Sequence, residues 1–200
     1  MPDKLSTNHF EYSPELEAEM AVELKRLIPR LRQFPITVEF KNSNVEGTGL
    51  FAKQDIQSGQ EVAKLGGVLV HKDNVTKYLS QVGNFGPQVN QDWFISPLTK
   101  KELPGAINHS CEPNIGMVDE LTFQTLKDIK TGEELAADYS QTGLMNGFEC
   151  NCGAANCKHQ VNSDGWKDNN PHGELRNFLD KNGATLKQLR DLGKLTDYIF

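Results

Sequence analysis

The chain has 200 residues, 24% of them charged and 37% hydrophobic, with a formal net charge of −6 at pH 7. Such a length suits one domain with appendages, and the composition excludes a disordered chain. The acidic balance argues against a direct nucleic-acid binder and suits a cationic partner such as a Lys-rich peptide.

Met1 to Phe10 lacks the apolar core of an export signal, and no apolar run approaches the ~20 residues that span a membrane. The cytoplasm is the default location, or the nucleus in a eukaryotic source, and cysteines there stay reduced and free to bind metal. Ser13-Pro14 reads as a helix start, Ser at the N-cap and Pro at the first helical position. Leu16, Met20, Leu24, Leu27, Ile28 and Leu31 follow at helical spacing, and Pro29 should kink or end the run. Residues 1–35 are therefore expected to hold an N-terminal amphipathic helix packed on the core.

After Pro35 the period changes. Ile36-Thr37-Val38-Glu39-Phe40 alternates as a half-buried strand does. In Glu46-Gly47-Thr48-Gly49-Leu50-Phe51-Ala52, the glycines let the backbone turn sharply and approach a ligand. No third glycine follows, so this is not a dinucleotide fingerprint. The segment from Asp55 to Val62 is echoed 73 residues later by Asp128 to Leu135. Each copy is a turn closed by Gly before a β-prone stretch. Strands are expected within Glu61–Val70, Asp92–Ser96 (with Trp93 in the core) and Leu121–Leu126. His71–Val82 reads as a short helix and residues 83–91 as an exposed loop. Near the C-terminus, Glu174–Lys181 and Thr185–Leu192 read as separate helices, closed by Asn182-Gly183 and by Gly193. The pattern is mainly β with flanking helices, an α+β chain.

The chemistry concentrates in two places. Asn108-His109-Ser110-Cys111-Glu112-Pro113-Asn114 has no apolar period and reads as a tight polar loop. Of the four cysteines in the chain, it holds one; Cys150, Cys152 and Cys157 lie together about forty residues on. Four thiolates are the full ligand set of a closed tetrahedral zinc site, with His109 and His159 as competing donors. Such a site does no chemistry itself, but would fasten the C-terminal segment against the loop.

Together these segments resemble the SET-domain lysine methyltransferases. The resemblance rests on Gly47-Thr48-Gly49-Leu50-Phe51-Ala52, the Asn108–Asn114 run, Glu134-Leu135-Ala136-Ala137-Asp138-Tyr139 and the post-SET cysteines, in that order. It covers about residues 36–158. It implies a β-clip-like fold of several small sheets with a C-terminal pseudoknot. Residues 36–140 would be the SET domain, 141–160 a post-SET zinc segment and 161–200 a helical extension. The resemblance also implies S-adenosylmethionine as methyl donor, leaving as S-adenosylhomocysteine, with structural zinc on Cys111, Cys150, Cys152 and Cys157. Cofactor contacts would come from Gly47, Thr48, Gly49, Asn108, His109, Tyr139 and Phe148. Tyr139 would be the catalytic tyrosine. Ala137, where larger residues restrict the lysine channel, leaves room for more than one methyl. Leu103-Pro104-Gly105-Ala106-Ile107 departs from the family pattern, and residues 71–104 have no placed counterpart. No carboxylate partner for His109 is evident, which argues against it as a general base. The expected activity is methyl transfer to a lysine amine of a protein, histone-like substrates included. The alternatives are an inert SET-like binding module and a methyltransferase of a small amine.

Overall fold

The computed structural model describes residues 10–35, 37–82, 86–98, 107–143, 147–162 and 173–200. Readings for residues 1–9, Ile36, residues 83–85 and Leu103–Ala106 lie outside the described residues.

Helix α1 spans Pro14–Leu27. The Ser13 hydroxyl accepts the Leu16 N–H at 3.1 Å. Glu15 and Glu17 sit in the first turn and Lys25 and Arg26 in the last, as the helix dipole favours. The helix stops before Pro29, because the residue ahead of a proline is driven out of the helical region: Ile28 is extended, φ −116° and ψ 114°. Met20, Leu24 and Ile28 enter the core, but Leu31 is 55% exposed, so the expected stripe ends with the helix.

Short strands follow: β1 (Val38–Asn42), β2 (Thr48–Ala52), β3 (Glu61–Lys64), β4 (Val68–His71), β5 (Trp93–Ser96), β6 (Asn108–His109), β7 (Ile115–Met117), β8 (Thr122–Thr125), β9 (Glu134–Ala137), β10 (Phe148–Glu149) and β11 (Gln160–Val161). They form small sheets ordered β1-β2-β9-β6, β3-β8-β7, β4-β5 and β10-β11. In the first, β9 runs antiparallel to β2 and parallel to β6, with Asn108 opposite Ala136 and His109 opposite Ala137. This central position of β9 delivers Tyr139 beside the Asn108–Asn114 loop.

The echoed turns meet each other. Ile56 and Ile129 exchange both backbone hydrogen bonds, at 2.9 and 2.8 Å. Asp55 accepts the Thr131 N–H at 3.0 Å, and Asp128 accepts the Ser58 N–H at 2.9 Å. Gly59 and Gly132 take φ of +82° and +86°, the left-handed geometry that closes each turn.

The expected helix over His71–Val82 begins later. His71 ends β4, and its Nδ1 accepts the Asp73 N–H at 3.3 Å over a 3-10 turn; helix α2 is Val75–Val82. The two C-terminal helices are one, α3, Glu174–Asp191. Gly183 does not end it. A Cβ there would lie 3.0 Å from the Trp93 Nε1, so the glycine admits the buried indole against the helix. Asn182 donates back to the Phe178 carbonyl at 3.0 Å and stays helical. The true stop is Gly193, φ +70°. Its N–H bonds to Arg190 O at 2.8 Å and the Lys194 N–H to Leu189 O at 2.9 Å, the paired bonds of a Schellman cap. At the other end the buried Glu120 carboxylate accepts the Gly173 and Arg176 N–H groups, replacing a local side-chain cap. Leu175, Leu179, Leu186 and Leu189 of α3 join Met20 and Leu24 of α1 in the main core, around Leu50, Trp93, Ile129 and Leu135. None of the described helices is long and apolar enough to cross a membrane.

Candidate active site and cysteine centre

The polar loop is built by its own side chains. Ser110 Oγ accepts the Glu112 N–H at 3.0 Å. Asn114 reaches β9 with both ends of its amide: Nδ2 donates to Glu134 O at 2.8 Å, and Oδ1 accepts the Ala136 N–H at 2.9 Å. Its backbone N–H adds a third bond, to Ala136 O at 3.1 Å. One asparagine thus substitutes for a neighbouring strand.

Asn108 is buried, and its Nδ2 donates to Glu134 Oε1 at 2.6 Å and to Glu46 O at 3.1 Å. Ser43 Oγ donates to the other oxygen of Glu134 at 2.9 Å. Gly49 makes room for this carboxylate: a Cβ there would stand 2.3 Å from Glu134 Oε1. Gly47 serves differently, turning the β1–β2 hairpin with φ +49°. Val45 and Glu46, rather than Gly47, Thr48 and Gly49, are the hairpin residues that face the nearby cavity. The sequence segments contain Glu46, Glu134 and Asn114, but their bonds to Asn108 and to β9 appear only in the fold.

That cavity measures about 220 Å³ and is lined also by Asn108, His109, Tyr139 and Phe148, with Glu149 to Cys152 completing its wall. The His109, Tyr139 and Phe148 rings stand edge to face, with centroids 5.4 to 6.1 Å apart. Tyr139 donates its hydroxyl hydrogen to the Ile107 carbonyl at 2.5 Å. Burial, aided by the Glu46 carboxylate and opposed by Arg32, pushes the phenol up to about 12, so it stays protonated near neutrality. Ala137 is buried in β9, with its carbonyl accepting the Ser110 N–H at 3.0 Å; it does not line the cavity.

His109 has a carboxylate neighbour after all: Asp138 Oδ1 lies 3.9 Å from Nδ1. Yet Nδ1 is already engaged, accepting the Tyr139 N–H at 3.1 Å. Burial lowers the imidazole's pKa, against the pull of Asp138, which favours the neutral ring. With Nδ1 an acceptor, the neutral ring carries its hydrogen on Nε2, which faces Cys111 Sγ at 3.3 Å. The ring therefore ties the loop to Tyr139 and is not free to act as a general base.

Three of the four cysteines, Cys111, Cys150 and Cys152, come together, and the fourth donor within reach of them is His109 rather than Cys157. His109, Cys111, Cys150 and Cys152 present donor atoms within 4.8 Å of one another. Cys157 packs against this group, its Sγ 3.4 Å from Cys150 O. Sulfur atoms of Cys152 and Cys111 receive backbone N–H groups of Cys111 and Lys158, at 3.4 and 3.3 Å. Amides aimed at sulfur suit thiolates. Burial raises the Cys152 thiol, but the Cys111 and Ala154 amides and the neighbouring thiols outweigh it and bring its pKa down. Burial raises Cys150. The chemistry of these donors is compatible with zinc, which Cys111, Cys150 and Cys152 would hold. His159 is exposed, with φ +58°, and stands outside the cluster.

Residues 47–140 match the family model described as SET domain. Among similar proteins is the variant-silencing SET domain-containing protein of Plasmodium falciparum, 30% identical over 146 residues, covering 64% of this chain and 6% of that one. Another is the histone-lysine N-methyltransferase Su(var)3-9 of Drosophila melanogaster, 27% identical over 165 residues, 66% of this chain and 26% of that one. Human histone-lysine N-methyltransferase 2B is 26% identical over 174 residues, 80% of this chain and 6% of that one. The chain thus spans only a small part of these relatives' length. In fold it is similar to the methyltransferase domain of human histone-lysine N-methyltransferase SETMAR, with TM-score 0.52 at 24% identity over 66% of this chain and 59% of that one. KRYPTONITE, solved with mCHG DNA and SAH, gives TM-score 0.50 at 20% identity over 65% of this chain and 30% of that one. The matched segment, the mixed β1-β2-β9-β6 sheet and the Asn108–Asn114 loop beside β9 agree: this chain carries a SET domain over residues 47–140.

Proposed function

We propose that the protein transfers a methyl group from S-adenosylmethionine to a lysine side chain of a protein substrate, with histones the first candidates. Tyr139 carries the reading: a half-buried phenol, fixed by the Ile107 carbonyl, in a cavity shared with Asn108, His109 and Phe148. Three aromatic rings beside the Glu46 and Glu149 carboxylates suit a sulfonium cation. S-adenosylmethionine supplies an electrophilic methyl: the amine lone pair forms the N–C bond as the C–S electrons return to sulfur.

The chain's own residues align and shield. Tyr139 has committed its hydrogen to Ile107, so the phenol oxygen offers lone pairs to the cavity. Those lone pairs can orient a polarised methyl and an incoming amine. Holding both reactants in line can supply up to ~7–11 kcal/mol of the barrier in the best cases. The amine must arrive neutral for its lone pair to attack, and the methylated ammonium that forms then gives one proton to water. Zinc on Cys111, Cys150, Cys152 and Cys157 would hold the wall of the cavity without entering the chemistry. The net charge of −6 supports a cationic peptide over a nucleic acid as partner, and a histone substrate would place the work in a nucleus.

Labelled S-adenosylmethionine, offered with histones and with whole-lysate protein, tests this. Label is expected on lysine, and Tyr139→Phe should lower the rate about 100-fold through misplacement of the reacting groups. Equal labelling by both proteins would remove Tyr139 from its role. A wild type that binds the cofactor but labels nothing would be the inert module.

A further inference from the structure

A closed circuit of contacts joins the cysteine segment to Tyr139. Lys158 directly follows Cys157, and its backbone N–H donates to Cys111 Sγ at 3.3 Å. Its Nζ reaches Asp138 Oδ2 at 3.0 Å. The other oxygen of Asp138 accepts the Ser140 N–H at 2.9 Å and so caps the 3-10 turn opened by Tyr139. The Tyr139 N–H donates to His109 Nδ1, and His109 Nε2 returns to Cys111 Sγ.

We propose that Lys158 is a positioning residue: its ammonium latches the cysteine segment to Asp138 and thereby sets Tyr139 and the cavity wall for the cofactor. The proposal rests on the methyl-transfer reading for its ligand, and on the circuit for its geometry. The Asp138 side chain is only 10% exposed. A carboxylate so enclosed needs a partner, because its hydration has been stripped away. Among the described residues it has two cationic candidates, Lys158 at 3.0 Å and His109 at 3.9 Å. His109 is already committed through both ring nitrogens. Without Lys158 the carboxylate must turn toward water and release the Ser140 N–H, which loosens the turn beginning at Tyr139. Because the Lys158 side chain is 49% exposed, the coupling belongs at the weak end of the usual range.

Linkage makes the effect reciprocal: whatever the segment does for the cofactor, the cofactor does for the segment. Saturating S-adenosylmethionine should tighten zinc binding about fivefold, read at equilibrium against a chromogenic chelator. In Lys158→Met this tightening should vanish, and cofactor affinity should fall by the same factor, about fivefold. Zinc stoichiometry should not change, and Lys158→Arg should restore both effects. Without cofactor, exchange of the Tyr139 and Ser140 amides should speed up in Lys158→Met and recover in Lys158→Arg. Unchanged exchange, unchanged tightening, or zinc loss in both variants would overturn the latch. A wild type that binds no S-adenosylmethionine would overturn methyl transfer instead, and amide exchange would still decide the latch.

Discussion

Replacing Asn114 by alanine tests how the loop holds β9. The side chain is buried and makes two bonds to the strand, to Glu134 O at 2.8 Å and from the Ala136 N–H at 2.9 Å. Alanine leaves a carbonyl and an amide without partners in the middle of a sheet. Each unsatisfied buried group costs about 1–3 kcal/mol, so the pair should cost about 2–6 kcal/mol. That is a large share of a domain's stability, typically ~5–15 kcal/mol. Urea unfolding with excess zinc in every sample measures it, since the metal's contribution is then common to both proteins. With a slope of about 2 kcal/mol per molar, the midpoint should fall by about 1–3 M. Asn114→Asp should be comparably harmful: it can still accept from Ala136, but sets a carboxylate oxygen against the Glu134 carbonyl. A loss below about 0.5 kcal/mol for Asn114→Ala, the scale of an ordinary surface change, would mean water serves β9 equally well. The clamp argument would then be wrong.

Cys157→Ser should lose bound zinc while His109→Gln keeps it, because His109 Nδ1 takes the Tyr139 N–H and its Nε2 hydrogen faces sulfur. Elemental analysis decides, and the opposite result would make His109 the fourth ligand. Gly49→Ala places a Cβ 2.3 Å from Glu134 Oε1 and must push that carboxylate off Asn108. Cofactor affinity should drop about tenfold, which is about 1.4 kcal/mol; calorimetry giving wild-type affinity would show the carboxylate is dispensable. Burial lowers the pKa of His71, against the pull of Asp73. As pH falls through about 6.5 the unfolded chain therefore takes up the proton first, and stability present above that pH is lost toward the folded value. His71→Gln should flatten this part of the stability curve, read from urea midpoints at several pH values. An unchanged slope would assign the acid sensitivity elsewhere.

Local chemistry was the readable part of the chain. Ser13-Pro14, the Gly59 and Gly132 turns, and Gly193 each fix their own backbone through one side chain or its absence, so neighbours in sequence suffice to recognise them. The meeting of Cys111 with Cys150 and Cys152 was readable for another reason: thiols are scarce here, and a tetrahedral ion would require scattered ones to meet. Glu134 escaped notice because its meaning depends on Ser43, Gly49 and Asn108 arriving from three other segments. The same holds for Glu120, which looks like any surface acid until the amides of Gly173 and Arg176 close on it.

Gly183 shows why the sequence reading divided α3. An Asn-Gly pair after an amphipathic run is a sound local stop, and glycine inside a helix costs about 1 kcal/mol relative to alanine. Here the local cost is set against a tertiary gain. Trp93 is 1% exposed and is among the largest fully buried side chains, and its indole approaches the helix where Gly183 has no Cβ. Full burial of a large side chain is worth about 1.5–3 kcal/mol, more than the glycine forfeits. The helix therefore runs on to Asp191, and Leu186 and Leu189 reach the core that a break at Gly183 would have turned away. A stop signal holds only while nothing distant fills the space it leaves, and that filling comes from a residue ninety positions earlier in the chain.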